Sequence, residues 1–297
     1  GKTGIEVAAD SVTLDLNGFQ VVGVAGALVG VGDAANTTRT GVTVRNGVVR
    51  DWPSGGVRFF KFGSSRLLRF QDVTSRNNGS HGFECRDSSI FIHCESGSNV
   101  GAGFFVGDGC LFESCVAHQN GAAGFDVSFG AQVTGCLARS NTGAGFLAND
   151  ATLVGCTATF NSDGFSATRC TLTGCQASFN SAWGINASSG SLVNSCGASN
   201  NTTGGILANT GTVVRGCQVS ASGVGIRTTG SDACIDGNSV SGGTTCFDIT
   251  GSGNIVMRNT ASGGTVRYSF TGVHTTGPIV SVAGTITSTV STANFEY

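Results

Sequence analysis

The chain has 297 residues, a net charge of −2, 48 glycines, 2 prolines and 11% charged residues. We expect no nucleic acid partner, because phosphate binding needs a clustered cationic surface. We also expect no membrane span, because no apolar run approaches the roughly 20 residues of a spanning helix. The 39% apolar content suits a folded, turn-rich β protein, and the glycines show no three-residue collagen period.

The first part of the chain already carries a repeating pattern. Gly47 and Val57 mark an early unit, and Val73 is followed by Asn78 and Phe83 at offsets that recur throughout the middle of the chain. Internal repeats of a few tens of residues indicate a solenoid. We therefore expect repeat units to begin well before residue 94.

The middle of the chain repeats with a period of about 21 residues. Cysteine recurs in steps of 19 to 21 residues, at Cys94, Cys115, Cys136, Cys156, Cys175, Cys196 and Cys217. Five residues after each of the first six lies an asparagine: Asn99, Asn120, Asn141, Asn161, Asn180 and Asn201. Nine or ten residues after each cysteine lies a large apolar residue: Phe104, Phe125, Phe146, Phe165, Ile185, Ile206 and Ile226. Asn238 and Asn259 continue the step at the cysteine position.

Each unit reads as three short strands separated by turns. Apolar residues alternate with period two at Cys136–Ala138 and Phe125–Val127, and a third strand follows at 132–134. Stacking such units pairs each strand in parallel with its equivalents at about 4.8 Å, and parallel crossovers are right-handed. The sequence predicts an all-β, single-stranded right-handed parallel β-helix over 1–262, with a C-terminal segment, 263–297, as a cap or tail.

The recurring columns predict an interior scaffold. A buried asparagine at the same turn of successive coils can hydrogen-bond its neighbours, and the phenylalanines should stack inside the helix. Three readings of the cysteines are open: metal ligands, disulfides, or buried thiols. Close cysteine pairs are absent and parallel stacking disfavours bridge geometry, so we expect interior thiols and no metal site.

The chain resembles the pectate-lyase-like superfamily of right-handed parallel β-helices, and more closely the secreted β-helix-repeat proteins of environmental bacteria such as planctomycetes. The resemblance rests on the opening coil at 11–19, on Val44–Val48, on the asparagine ladder, and on Gly277–Val280 with Asn294–Tyr297. It covers nearly the whole chain. It implies the fold and export to the periplasm, cell surface or medium, although no signal peptide is visible. It does not identify the function, because this fold hosts lyases, hydrolases, epimerases, adhesins and inert rods.

Charged residues concentrate between Arg66 and Arg139, and our register places several on the outward side of the cysteine-bearing strand. We take four as candidate catalytic residues: His93, Glu95, Glu113 and His118. Glu95 with Glu113 would supply the carboxyl pair of a glycoside hydrolase. His118 with Arg139 would supply the base and the carboxylate-binding cation of a lyase or epimerase, a role that Ca²⁺ could also fill. No other cofactor is expected.

Other side chains are candidates for binding a glycan. Arg76, His118 and Arg139 should share one outward column, where they could meet successive uronates. Phe160 and Phe179 occupy the same offset on adjacent coils and should stack, and Trp183 also reads as outward or turn. His81 precedes a core strand and reads as a turn, while Glu84 and Asp126 read as outward.

The sequence supports two functions. The first is an exported protein that binds or processes polysaccharide on an outward strand face. The alternative is a non-catalytic structural or surface-adhesion scaffold, and self-association is compatible with either.

Overall fold

The computed structural model describes residues 1–34, 37–60, 66–220, 223–281 and 288–297. These residues form parallel strands and contain no helix, with about 21 residues per coil. The chain divides into two compact units, Gly1–Thr152 (unit 1) and Leu153–Tyr297 (unit 2). The predicted all-β parallel solenoid is therefore confirmed.

Three columns of strands run through each unit, and we name them the phenylalanine, cysteine and third sheets. In unit 1 the phenylalanine sheet comprises Ile5–Val7, Val31–Asp33, Val57–Phe59, Phe83–Cys85, Phe104–Val106, Phe125–Val127 and Phe146–Asn149. The cysteine sheet comprises Gln20–Val22, Glu95–Gly97, Val116–His118 and Leu137–Arg139. The third sheet comprises Thr13–Asp15, Ile90–Ile92, Leu111–Glu113 and Gln132–Thr134. Two longer strands serve both of these sheets: Thr43–Arg50 and Arg69–Arg76.

Unit 2 repeats the same plan, and the strand Thr152–Val154 spans the boundary between the units. Its phenylalanine sheet comprises Phe165–Thr168, Trp183–Ser188, Gly204–Ala208, Val224–Thr228, Thr245–Thr250 and Val266–Thr271. Its cysteine sheet comprises Thr157–Thr159, Gln176–Ser178, Gly197–Ser199, Gln218–Ser220, Ser239–Ser241, Thr260–Ser262, Asn294–Glu296 and Ile279–Ser281. Its third sheet comprises Thr171–Thr173, Leu192–Asn194, Val213–Arg215, Cys234–Asp236, Ile255–Met257 and Thr275–Thr276.

Left-handed residues make the corners between strands. In one coil of unit 1 the corners are Gln119 (φ 55°), Gly130 (φ 70°) and Gly135 (φ 61°). Residues with a Cβ rarely adopt this conformation, so glycine, asparagine and short polar residues are favoured at such corners. The short strands therefore end where the sequence places these residues, which accounts for the length of the coil.

The interior of unit 1 is aromatic. Phe83, Phe104, Phe125 and Phe146 stack in parallel with centroid separations of 4.9, 4.8 and 4.8 Å. The third sheet contributes Phe70, Phe91 and Phe112, whose rings meet this stack edge to face. The sequence reasoning anticipated the first column of rings but not the second.

The asparagine ladder is confirmed. The amide nitrogens of Asn78, Asn99 and Asn120 each donate to the side-chain oxygen of the asparagine one coil on, at 2.9 Å in all three cases. The same oxygens accept from the backbone N–H of the preceding asparagine. Buried polar groups are costly unless hydrogen-bonded, and the ladder satisfies them on successive coils from Asn78 to Asn201.

The cysteine column is a column of thiols. Eleven of the twelve cysteines are buried and Cys234 is half-buried, and none forms a disulfide in the structure. Burial raises the pKa of Cys85 and raises that of Cys110 to about 11, two cysteines outside the column. Within the column, the thiols are buried and contact backbone carbonyl oxygens, as Cys115 and Cys136 do at 3.4 Å, so these cysteines serve as small interior filling.

Parallel pairing continues beyond residue 262. Val266–Thr271 pairs with Thr245–Thr250, and Asn294–Glu296 pairs with the cysteine-sheet strand at 260–262. Asn259 donates to the side-chain oxygen of Asn294 at 3.2 Å. Thr275–Thr276 pairs with Ile255–Met257, so the C-terminal segment adds strands to all three sheets. None of the described residues belongs to a helix long and apolar enough to cross a membrane.

Candidate functional site

The predicted cationic column lies on the outward face of the cysteine sheet in unit 1. The pairing register places Arg76, Gly97, His118 and Arg139 in one line, one coil apart. His118 Nε2 lies 2.8 Å from the Oε1 atom of Glu95 on the preceding coil. A Cβ at Gly97 would stand 2.5 Å from the His118 ring, so only glycine leaves room for the imidazole to reach that carboxylate.

Two of the four candidate catalytic residues lie elsewhere than we expected. His93 occupies a left-handed corner (φ 50°) with its Nδ1 atom 3.5 Å from Asp72, and Glu113 ends a strand of the third sheet. The prediction that both project from the cysteine strand is therefore wrong. The chain turns at the residue before each cysteine. His93 is itself such a corner residue, and Glu113 lies on the third-sheet side of the corner before Cys115. Glu95 and Glu113 lie on different sheets, and the side chain that the structure brings to Glu95 is that of His118.

A second group of ionisable residues lies on the outward face of the phenylalanine sheet in unit 1. The register aligns Arg58, Glu84, Phe105 and Asp126 in one column. Arg58 Nε lies 2.9 Å from Glu84 Oε2, and the Glu84 side chain is only 10% exposed. Outward acids on this strand were expected from the sequence, but their burial was not.

Aromatic rings form a row across this column. The His81 ring stacks on Phe105 at 4.8 Å, and Phe60 lies on Phe105 at 5.7 Å. The guanidinium carbon of Arg86 lies 4.2 Å from the Phe60 centroid. We call Arg58, His81, Glu84, Phe105 and Asp126, with the flanking Phe60 and Arg86, the aromatic–acid cluster.

Burial shifts the titration of three members of the aromatic–acid cluster. It raises the pKa of Glu84, with Arg58 and Arg86 acting in the opposite direction. It also raises the pKa of Asp126 against the nearby charge of His81, and it lowers the pKa of His81. Perturbed pKa values concentrated in one place are typical of functional sites.

The hydrogen bonding of His81 defines its tautomer. The Nδ1 atom accepts a 3.0 Å hydrogen bond from the backbone N–H of Ala102, so the neutral ring carries its proton on Nε2. A Cβ at Gly101 would lie 2.8 Å from Nδ1, which makes glycine necessary beneath the ring. The sequence signal was present but weak: the register positions one and two coils on hold Ala102 and Ala123, so a histidine here departs from the repeat.

The predicted aromatic pair is present in unit 2. Phe160 and Phe179 stack at 5.3 Å with an interplanar angle of 14°, and they are 56% and 51% exposed. Trp183 does not join them, because its ring lies over Gly204 and approaches Arg227 at 5.8 Å. Across the described ranges of the chain, no group of three or more His, Cys, Asp or Glu side chains is arranged to hold a metal ion.

The fold is similar to those of two solved structures from Azotobacter vinelandii. The mannuronan C-5 epimerase AlgE4 A-module gives a TM-score of 0.69 at 14% identity, covering 84% of this chain and 88% of that one. The AlgE6 A-module gives 0.64 at 13% identity, covering 94% and 91%. Pectate lyase Pel9A gives only 0.36 at 15% identity, covering 80% and 69%. At these identities the similarity shows the fold alone.

No curated protein matches the sequence. A family model described as "Right handed beta helix region" matches residues 62–219, which is more than half of the chain. The chain belongs to this right-handed β-helix family.

Proposed function

We propose that the chain binds polysaccharide through the aromatic–acid cluster on the outward phenylalanine sheet of unit 1. The observation that carries the proposal is the gathering of Glu84, Asp126 and His81, all with burial-shifted pKa values, around the half-buried ring of Phe105. Ligand sites combine apolar surface with a few polar groups that fix orientation, and this face offers both.

The geometry suits an extended polymer. Parallel coils repeat at about 4.8 Å, so Arg58, Phe105 and Asp126 present different side chains along the sheet, while the buried Glu84 holds Arg58 in place. The Nε2–H group of His81 can donate a hydrogen bond to a sugar hydroxyl, and the Asp126 carboxyl group can accept a hydrogen bond from another. Aromatic rings pack well against the apolar faces of pyranose rings.

The cysteine-sheet column offers a second binding face of different chemistry. Arg76, His118 and Arg139 line one outward column, and a small cavity of about 150 Å³ lies beside His118 and Arg139. Guanidinium groups bind carboxylates through paired hydrogen bonds. We assign this column to acidic glycans, as a secondary face to the aromatic–acid cluster.

Turnover is a second candidate function, favoured by the raised pKa values of Glu84 and Asp126. A carboxyl group with a raised pKa can act as a general acid, and a neutral imidazole can act as a base. The test is incubation with each glycan, scored for new reducing ends and for ultraviolet absorbance from unsaturated products. Loss of either product in the Asp126→Asn variant would assign Asp126 a catalytic role.

Export is part of the same proposal, since a polysaccharide ligand would be met outside the cell. The resemblance to secreted β-helix-repeat proteins of environmental bacteria supports it. Ca²⁺ enters only as a bridging ion between glycan and protein carboxylates, and each binding assay is run with Ca²⁺ and with a chelator.

Affinity electrophoresis in gels containing pectin, alginate or xylan tests the proposal. We expect the gels to retard the wild type and to retard the double variant Phe105→Ala/Asp126→Asn clearly less. The matched control Phe129→Ala, whose ring is 55% exposed, should be retarded as much as the wild type. The triple alanine variant of Arg76, His118 and Arg139 should weaken only the acidic glycans. No retardation in any gel, with all variants folded, would favour the structural-scaffold function instead.

A further inference from the structure

Unit 2 carries a groove on the outward face of its cysteine sheet. The groove has a volume of about 530 Å³ and spans four successive coils. Gln176, Gly197, Gln218 and Ser239 form one column along it, because they pair in register from coil to coil. Four coils at a spacing of about 4.8 Å give a length of about 14 Å between the first and last of these residues, which accommodates a short run of sugar rings.

The groove is polar but uncharged. Its twelve lining residues are five serines, two glutamines, two glycines, one alanine, one valine and one cysteine. Among the described residues, the side chains of Gln218, Ser199, Ser220 and Ser239 find no hydrogen-bond partner. These amide and hydroxyl groups can both donate and accept, so they match the hydroxyl groups of a sugar.

An aromatic platform adjoins the groove. Phe179 directly follows Ser178 on the coil that contributes Gln176, and it stacks on Phe160 of the preceding coil. Both phenylalanines are left-handed, with φ values of 58° and 56°, and more than half of each side chain is exposed. The next coil has Asn200 at this corner (φ 54°), a residue that tolerates the conformation well.

The two phenylalanines are thus costly to the fold. An exposed phenyl ring gains no free energy from burial, and a phenylalanine with a positive φ is strained. Asparagine would be less strained at this corner. Their stacking across two adjacent coils gives a continuous apolar surface next to a hydroxyl-lined groove. Aromatic faces next to uncharged hydrogen-bonding groups suit a ligand with apolar ring faces and many hydroxyls.

We propose that this groove, with the Phe160–Phe179 platform, is a second glycan site that selects neutral polysaccharides. The proposal rests on the premise of the proposed function, that the chain binds polysaccharide, and assigns a different substrate class to a different unit. An acidic glycan would bring carboxylates into the groove without a cation to meet them, and desolvating an unpaired charge is unfavourable. Neutral glycans carry no such cost.

The test compares neutral and acidic glycans on the full chain. Hydroxyethyl cellulose and galactomannan are the neutral probes, and pectin and alginate are the acidic ones. The key variant is Phe160→Asn with Phe179→Asn. Asparagine already occupies this corner on the next coil, at Asn200, so the variant should fold at least as well as the wild type. Phe129→Asn in unit 1 is the matched control, since it removes an equally exposed ring.

We expect the double variant to weaken binding of the neutral probes by about tenfold or more, the loss expected for removing stacking contacts. Binding to the neutral probes should be unchanged in Phe129→Asn and insensitive to added salt. Neutral binding that survives the double variant overturns the groove assignment. If the protein binds only the acidic probes, and Phe105→Ala weakens that binding, this inference is overturned while the proposed function stands.

Discussion

Units 1 and 2 share one coil plan but fill it differently. In unit 1 the interior is a stack of phenylalanine rings, whereas the equivalent positions in unit 2 include Ile185, Ile206 and Ile226, all fully buried. Outside, unit 1 carries the aromatic–acid cluster, and unit 2 carries an uncharged groove. Each coil of a solenoid contacts only its neighbours, so interior and exterior columns can change along the chain without changing the backbone plan.

The largest effect expected from this comparison is in the core. Replacing Phe125 with Ala should lower the free energy of unfolding by about 3–5 kcal/mol, and Ile206→Ala by about 2–5 kcal/mol, through the cavity left in each column. Phe129→Ala, on the same coil as Phe125 but 55% exposed, should cost less than about 1 kcal/mol. Urea denaturation measures all three.

Equal losses for Phe125→Ala and Phe129→Ala would contradict the inward and outward assignment of this strand. A loss in Ile206→Ala larger than that in Phe125→Ala would reverse the comparison between the units, because the aromatic stack would then be the more tolerant of the two cores.

The ladder gives the next effect. Asn120→Ala removes the acceptor of two hydrogen bonds from Asn99 and leaves a buried backbone N–H unsatisfied. We expect a loss of about 1–3 kcal/mol. The equivalent change in unit 2, Asn180→Ala, should cost a similar amount, because the ladder geometry is the same there. Thermal denaturation checks both, and a markedly smaller loss in one unit would show that its ladder contributes less.

Thiol labelling can separate the units. All twelve cysteines should react in the unfolded, unreduced protein, since the structure forms no disulfide. Under mild denaturant we expect Cys196 and Cys217 of unit 2 to label before Cys94 and Cys115 of unit 1, because labelling of buried thiols follows local opening and unit 1 buries more aromatic surface. Peptide mapping by mass spectrometry measures the order. Recovery of few thiols after unfolding would show that disulfides form.

The smallest expected effect is a pH dependence confined to unit 1. The pKa of Asp126 is raised by burial, so the folded state holds its proton more tightly than the unfolded state, and stability falls as pH rises above the ordinary value of 3.8. The pKa of His81 is lowered by burial, so the folded state favours the neutral ring, and stability falls as pH falls below the ordinary value of 6.5. Asp126→Asn should therefore gain stability over the wild type as pH rises, and His81→Asn as pH falls.

Phe129→Ala provides the control for these measurements, because it removes an exposed ring and no ionisable group. Its stability should differ from that of the wild type by the same amount at every pH, as measured by denaturation across pH 3 to 8. Parallel curves for Asp126→Asn and the wild type would mean that the burial of this carboxyl does not affect its titration in solution.

The sequence by itself determined the scaffold of this protein. Columns of Cys, Asn and Phe recur every 19 to 21 residues, and a side chain repeated in that register can only stack on its equivalents. The same periodicity placed Arg76, His118 and Arg139 in one line and Phe160 beside Phe179, because pairing in register is a property of the repeat.

Only the tertiary structure decided which chemical groups meet across the columns. The sequence could not show that Glu95 meets His118, that Glu113 lies beyond a corner, or that His81 lies flat on Phe105. These contacts depend on side-chain direction at left-handed corners and on the room that glycines such as Gly97 leave beneath a ring. A 21-residue period predicts which residues stack on one another. Burial depends on neighbours at other positions of the repeat, and the pKa shifts of the aromatic–acid cluster depend on burial.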